Sequence, residues 1–172
     1  MTRNIIQFVI LFFLLVLAQA ICSKICLFNV AVPIIFIYFI IRLPLSLGVN
    51  WLMTLSFFIG LVIDIFNNSL GMNALSCVIL AISKRPVFRL YFPREDDITD
   101  TIPSIDSLGL SVYFRFMSTL TLIYCALLFG IQAFSLMNIG LTLLRIAASS
   151  LLSIILILGI DSLSASHREK RL

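Results

Sequence analysis

The stretch that decides the fold runs from Gly60 to Asn73 and reads Gly-Leu-Val-Ile-Asp-Ile-Phe-Asn-Asn-Ser-Leu-Gly-Met-Asn. Its polar residues separate two apolar runs, 51–66 and 71–82. One straight helix from Trp51 to Ile82 would be about 48 Å long, well beyond the ~30 Å hydrocarbon core of a bilayer. Asn, Ser and Gly can satisfy the free backbone groups of two helix ends with short side chains and a permissive backbone. The stretch therefore predicts a tight turn between two membrane-spanning helices.

The composition places the rest of the chain in a membrane as well. Of the 172 residues, 61% are hydrophobic and 12% are charged, and the mean hydropathy is +1.15. An ordinary soluble domain carries about twice that share of charge, so a soluble fold is excluded. Fourteen of the 20 charged residues lie in two segments, 84–106 and 161–171. The net charge of +4 is therefore a topology signal and does not indicate a nucleic-acid interface.

The apolar runs predict an all-α fold, a single domain over residues 1–172 formed by a bundle of six transmembrane helices. The predicted spans are 4–21, 27–41, 51–66, 71–82, 112–137 and 139–163, with a cytoplasmic loop over 83–111. With both termini in the cytoplasm, nine basic residues lie inside and only Lys24 lies outside. This bias favours a multi-pass membrane protein with that orientation. An alternative for the N-terminus is a signal peptide, because Ala18-Gln19-Ala20 fits a signal-peptidase site.

The sequence lacks the residue patterns that intramembrane catalysis would need. Its single histidine, His167, lies in a charged tail, which excludes histidine triads and multi-histidine metal sites. No nucleophile, phosphate-binding or dinucleotide-binding motif occurs, and no Cys-x2-Cys pair occurs. Cys22 and Cys26 are one helical turn apart and in principle could bind a metal or oxidise. We therefore expect no catalytic residues, no metal and no cofactor, and we interpret the four cysteines as small hydrophobic residues.

Two charged residues inside predicted spans are the most informative, because a charge in hydrocarbon costs about 2.5 to 3.5 kcal/mol and is usually partnered. Asp64 lies near the end of the third predicted span and Arg145 near the start of the sixth, so both are within about 10 Å of the outer membrane interface. Arg145 is therefore one candidate intramembrane partner for Asp64. In the alternative, Asp64 only caps the hairpin turn at the membrane surface, and the Arg145 side chain extends to the lipid head groups. Arg42, Arg115 and Asp161 lie at span ends and are interpreted as markers of the inner interface.

The predicted cytoplasmic loop has a basic half and an acidic half. The basic half should lie along anionic lipid head groups, and its charged residues are Lys84, Arg85, Arg89 and Arg94. The acidic half is either a solvated linker or a contact for a cytoplasmic partner, through Asp96, Asp97 and Asp100.

The spacing Gly-x3-Asp-x5-Leu-Gly, followed by a helix with small residues, resembles the MreD family of rod shape-determining proteins. The residues that carry the resemblance, or lie within the motif, are Gly60, Asp64, Asn67, Asn68, Leu70 and Gly71. A short basic N-terminus, a proline at the start of the second span and two final spans with a basic tail also look like that family.

The resemblance implies a non-catalytic membrane scaffold of the bacterial cell-elongation complex, which organises peptidoglycan synthesis and maintains cell shape. The implied partners are a bitopic periplasmic protein similar to MreC, the actin-like MreB, RodA, a class B penicillin-binding transpeptidase and membrane lipids, with no nucleic acid. The family's bundle is also similar to the substrate-binding subunits of vitamin-type transporters, so such a subunit is the alternative function. Convergent polar side chains at the membrane midplane would favour transport, and only the short fourth span and Trp51 suggest them.

Overall fold

The computed structural model describes the backbone of residues 2–22, 31–91, 103, 109–133 and 139–169. Side chains are described for the same residues except 2–9 and 162–169. This part of the chain contains six helices and no β-strand, which confirms the predicted all-α class. The helices are α1 (Thr2–Cys22), α2 (Ile37–Arg42), α3 (Val49–Asn67), α4 (Met72–Tyr91), α5 (Leu110–Ala133) and α6 (Ile139–Glu169).

Three of these helices are long and apolar enough to cross a membrane. They are α3, α5 and the part of α6 from Ile139 to Asp161. The apolar part of α1 with described side chains, Ile10–Cys22, is shorter than a full span.

The second predicted span differs most from expectation. Where the sequence predicts one helix over 27–41, residues 31–36 are not helical and only the six-residue α2 follows them. Residues 23–30 lie outside the described part of the chain. All six residues of α2 are buried, so a broken, irregular segment runs through the middle of the bundle.

The hairpin is formed as predicted, but its second helix is longer. Helix α4 continues nine residues beyond the predicted end of the fourth span, through Pro86, so the predicted loop over 83–111 does not begin at Ser83. A proline inside a helix costs about 3 kcal/mol. Buried contacts on both sides of Pro86 offset this cost: Lys84 is wholly buried, and the Phe88 ring packs edge-on against Phe116.

Helix α4 lies between α3 and α5, and α5 lies between α4 and α6. The centre of the bundle is filled by large aromatic side chains that are almost completely buried. They include Phe36, Tyr38, Tyr113, Phe116 and Tyr124. The outward faces of α1, α3 and α6 are apolar and exposed, as expected of surfaces that face lipid or another apolar partner.

Candidate functional site: the hairpin cluster and the basic-end cluster

Asp64 organises the turn between α3 and α4. Its carboxylate is buried and accepts four hydrogen bonds, all from residues of the turn and the start of α4. The oxygen Oδ1 accepts the Ser69 hydroxyl, the Asn73 backbone N–H at 3.1 Å and the Asn73 side-chain amide at 2.9 Å. The oxygen Oδ2 accepts the backbone N–H of Ala74 at 2.8 Å. Asp64 thus satisfies two of the amide groups that the first turn of α4 leaves free.

The backbone of the turn is closed by its own hydrogen bonds. Asn68 follows the last residue of α3 as its C-cap, in the left-handed conformation at φ 56°. Its N–H donates to the Asp64 carbonyl, as does the N–H of Ser69. Gly71 also has a positive φ, 75°, which a residue with a side chain rarely adopts. Asn67 is the last residue of α3, and Leu70 is 94% exposed at the tip.

Gly60 allows α3 and α4 to pack at backbone contact distance. A Cβ atom at this position would lie 2.7 Å from the Ala74 nitrogen and 2.8 Å from the Asn73 carbonyl oxygen. Small residues permit such close approaches between membrane helices. Gly60 therefore brings α4 close enough for the Asp64 carboxylate, one turn further along α3, to reach the amides of Asn73 and Ala74.

Asn73 connects the turn to the next helix, α5. We call Asp64, Ser69, Asn73 and Tyr124 the hairpin cluster. Its side-chain oxygen accepts the Tyr124 hydroxyl of α5 at 2.7 Å, and Tyr124 is fully buried. The Tyr124 and Phe36 rings pack in a T-shaped arrangement, with 5.6 Å between ring centres, and Phe36 belongs to the irregular segment. Sequence reasoning did not identify Asn73 or Tyr124 as site residues.

Of the two interpretations of Asp64 that the sequence left open, the ion pair with Arg145 is not formed in the described part of the structure. Both side chains are described, and no Arg145 nitrogen lies within 4 Å of an Asp64 oxygen. The turn supplies all the hydrogen bonds of the carboxylate instead, while Arg145 is half-buried on α6. Asp64 caps the turn, which is the other interpretation that the sequence left open.

A second polar cluster lies at the opposite end of the hairpin, and we call it the basic-end cluster: Tyr38, Arg42, Lys84, Arg85 and Asp161. Arg42 and Asp161 form a buried ion pair, with 3.7 Å between the charged atoms. The Tyr38 hydroxyl donates to Asp161 at 2.6 Å and accepts from Arg42 at 2.7 Å. The interpretation of Arg42 and Asp161 as simple interface markers is therefore wrong, because they join α2 to α6.

Lys84 and Arg85 hold the end of α2 and the connection to α3. The Lys84 ammonium group donates to the carbonyls of Ile40 and Leu43, and Arg85 donates to those of Leu45 and Leu47. A cation at a helix C-terminus satisfies free carbonyls and interacts favourably with the helix dipole.

These two residues were predicted to lie in a cytoplasmic loop along lipid head groups, and the structure instead places them in α4, facing protein. Arg89 is exposed in the last turn of α4. Arg94, Asp96, Asp97 and Asp100 lie outside the described residues.

The irregular segment 31–36 is held by polar side chains from both neighbouring helices. The Gln19 side chain of α1 donates to the Pro33 carbonyl and accepts the Ile35 N–H. On α6, Ser149 and Ser153 accept the N–H groups of Val32 and Ile34 at 3.0 Å each. Pro33 has no N–H, so every backbone donor from residue 32 to residue 35 has a protein acceptor.

Among the described residues, no group of three or more His, Cys, Asp or Glu side chains could hold a metal ion. Most polar side chains of the two clusters bond to backbone groups or to one another across helices. This arrangement fixes the positions of helices. No protein-family model, curated protein or solved structure matches this chain.

Proposed function

We propose that this protein is a non-catalytic, multi-pass scaffold of the bacterial inner membrane, similar to MreD, that holds cell-elongation proteins together. The observation that supports this most is the Gly60–Asp64 hairpin. Gly60 and Asp64, which carry the resemblance, also build a close-packed turn whose buried carboxylate accepts four hydrogen bonds, next to the exposed apolar face of α3. A fixed apolar face with a packed core behind it suits the docking of a partner helix.

In this proposal the six predicted spans are retained, and the second crosses the membrane as the irregular segment followed by α2. The hairpin end faces the periplasm, and the end with the basic-end cluster faces the cytoplasm, as the positive-inside rule favours. The acidic half of the cytoplasmic loop then contacts a cytoplasmic partner such as the filament protein MreB.

The orientation can be tested by labelling single cysteines in intact cells. On a background without Cys22, Cys26, Cys77 and Cys125, an impermeant maleimide should label Ser23→Cys, between the first two predicted spans. It should not label Thr101→Cys, in the predicted cytoplasmic loop, until the cells are permeabilised. The reverse pattern would contradict the orientation.

The docking role can be tested with a photo-crosslinking amino acid at Phe58, which is 59% exposed on α3. The expected product is a crosslink to a single-span protein with a periplasmic domain. The same amino acid at buried Ile63, on the opposite face of α3, is the matched control and should give no crosslink to another protein. Recovery of the ATPase module of a transporter instead would contradict the scaffold and support the substrate-binding subunit.

A further inference from the structure

Arg145 is a charge on α6 for which the described part of the protein provides no partner. It lies six residues after Ile139, where the apolar part of α6 begins, so its Cα atom is about 9 Å along the helix from that end. Among the residues that the structure describes, Arg145 takes part in no hydrogen bond and no ion pair. A charge within an apolar span is costly and is normally partnered, so a counter-charge is expected.

No carboxylate of this chain is placed to supply that counter-charge. The Asp64 carboxylate is already occupied by four donors of the hairpin turn and the start of α4. Asp161 lies sixteen residues further along α6, about 24 Å from Arg145 along the helix, and it pairs with Arg42. The other six acidic residues lie in 95–106 and at Glu169. The proposed orientation puts all six on the opposite side of the membrane, so the partner of Arg145 lies outside this chain.

The position of Arg145 on α6 makes it accessible from lipid. Leu144 is 54% exposed on the outward face of α6, whereas Ile146 packs against the core. Because successive residues of a helix are about 100° apart, half-buried Arg145 lies at the border between these two faces.

The direction of the side chain favours the nearer membrane interface. Side chains of an α-helix point toward its N-terminus, and the N-terminal end of α6 is the end closest to Arg145. This end is remote from Asp161 and the basic-end cluster, so it lies on the same side as the hairpin turn. An arginine near the end of a span can extend its methylene stem along apolar surface and place its guanidinium group among the head groups.

A lipid phosphate suits this position better than an acidic side chain of a partner helix. Phosphate groups lie at the interface toward which the side chain points, whereas a partner carboxylate would have to be held at a costly depth in the membrane. The guanidinium fork matches two oxygens of a phosphate group with two parallel N–H donors. The phosphate of phosphatidylglycerol is not neutralised within its own head group, unlike that of phosphatidylcholine, so it leaves a full negative charge for the arginine.

We propose that Arg145 binds the phosphate group of an anionic phospholipid in the leaflet on the hairpin side, at the flank of α6. This inference rests on the membrane location and the orientation in the proposed function, and it requires no protein partner.

Thermal unfolding of the purified protein in a mild detergent, followed by circular dichroism, tests the lipid site. Phosphatidylglycerol is compared with a diacylglycerol of the same acyl chains, which lacks the phosphate group. Arg145→Gln removes the charge and Arg145→Lys retains it. The matched control is Arg115→Gln, which removes an exposed cation near the start of α5.

Phosphatidylglycerol should raise the melting temperature of the wild type by several degrees more than diacylglycerol does. Most of this difference should be lost in Arg145→Gln and retained in Arg145→Lys and Arg115→Gln. An unchanged difference in Arg145→Gln, or an equal loss in the two glutamine variants, would overturn the proposal. Inorganic phosphate added with diacylglycerol should not stabilise the protein; stabilisation equal to that by phosphatidylglycerol would show a site for free phosphate and overturn the lipid assignment.

A photo-crosslinking amino acid at Leu144 in cells distinguishes a lipid from a protein partner at this site. The expected adducts are phospholipids. A crosslink to another protein that disappears in Arg145→Gln would overturn the proposal in favour of a partner helix with an acidic residue. The scaffold proposal is tested separately at Phe58 on α3, so either proposal can fail while the other holds.

Discussion

Replacement of Asp64 tests whether the hairpin depends on a carboxylate that accepts hydrogen bonds through both oxygens. In Asp64→Ala, four donors lose their acceptor. The Asn73 side-chain amide keeps its existing hydrogen bond to the Ser69 oxygen, at 3.1 Å, and the Ser69 hydroxyl, which is only half-buried, can rotate toward another acceptor. The backbone N–H groups of Asn73 and Ala74 are fixed by the helix and have no other acceptor at hand.

The expected loss of stability follows from those two fixed donors. A buried donor without an acceptor costs about 1–3 kcal/mol, so Asp64→Ala should lower the free energy of unfolding by about 2–6 kcal/mol. Asp64→Asn retains one oxygen, which can serve the three donors on Oδ1, but its NH₂ group then faces the N–H of Ala74. One donor is left unsatisfied, and the expected loss is about 1–3 kcal/mol. The order of stability is therefore wild type, then Asp64→Asn, then Asp64→Ala.

The free energies can be measured by reversible unfolding in mixed micelles of a mild detergent and dodecyl sulfate, followed by circular dichroism. Arg145→Gln is the matched control for the loss of an intramembrane charge, and its effect should add to that of Asp64→Asn without coupling. A free energy of unfolding for Asp64→Ala within about 1 kcal/mol of the wild-type value would refute the capping role, because it is less than the cost of one unsatisfied buried donor. Coupling between Asp64 and Arg145 would restore the ion pair that the structure rejects.

Three further predictions concern other contacts between helices and can be measured in the same unfolding assay. Gly60→Ala should cost about 3 kcal/mol because its Cβ would meet the backbone of α4, whereas Gly130→Ala, with open space around it, should be neutral or slightly stabilising. Arg42→Met or Asp161→Asn alone should cost about 3–5 kcal/mol by stranding a buried charge, and the double variant should recover most of that loss; additive losses would refute the pair. Lys84→Met should cost about 1–3 kcal/mol and speed hydrogen exchange at the end of α2, and unchanged exchange there would show that the lysine does not hold that end.

The features that the sequence predicted well depend on local patterns. The apolar runs gave the helical class and the limits of α3 within two residues, because hydropathy and a polar turn are properties of neighbouring residues. The irregular segment 31–36 was missed because its apolar side chains read as a helix. Its conformation depends on Gln19, Ser149 and Ser153, which are distant in sequence.

The same distinction explains the outcome for the site residues. Gly60 and Asp64 were identified because the turn itself defines their roles, and the capping role of Asp64 was one of two interpretations. Arg145 was proposed from similar depth alone, and depth does not tell which faces of two helices meet. Lys84 was assigned to a loop because charge usually marks the end of a span, whereas here its acceptors are backbone carbonyls more than 40 residues away in sequence.

The irregular segment bears directly on the choice between scaffold and transporter. Transporters bind substrates and ions where broken helices leave backbone amides and carbonyls free near the membrane midplane. Here the segment is broken, but its backbone N–H groups from residue 32 to residue 35 all donate hydrogen bonds to side chains of Gln19, Ser149 and Ser153. Pro33, within this range, has no N–H group. A ligand would have to displace buried hydrogen bonds and the packed aromatic side chains around Phe36, and Trp51 lies on the outer surface, where it cannot line an interior site. The break therefore serves to connect α1, α2 and α6, which favours the scaffold.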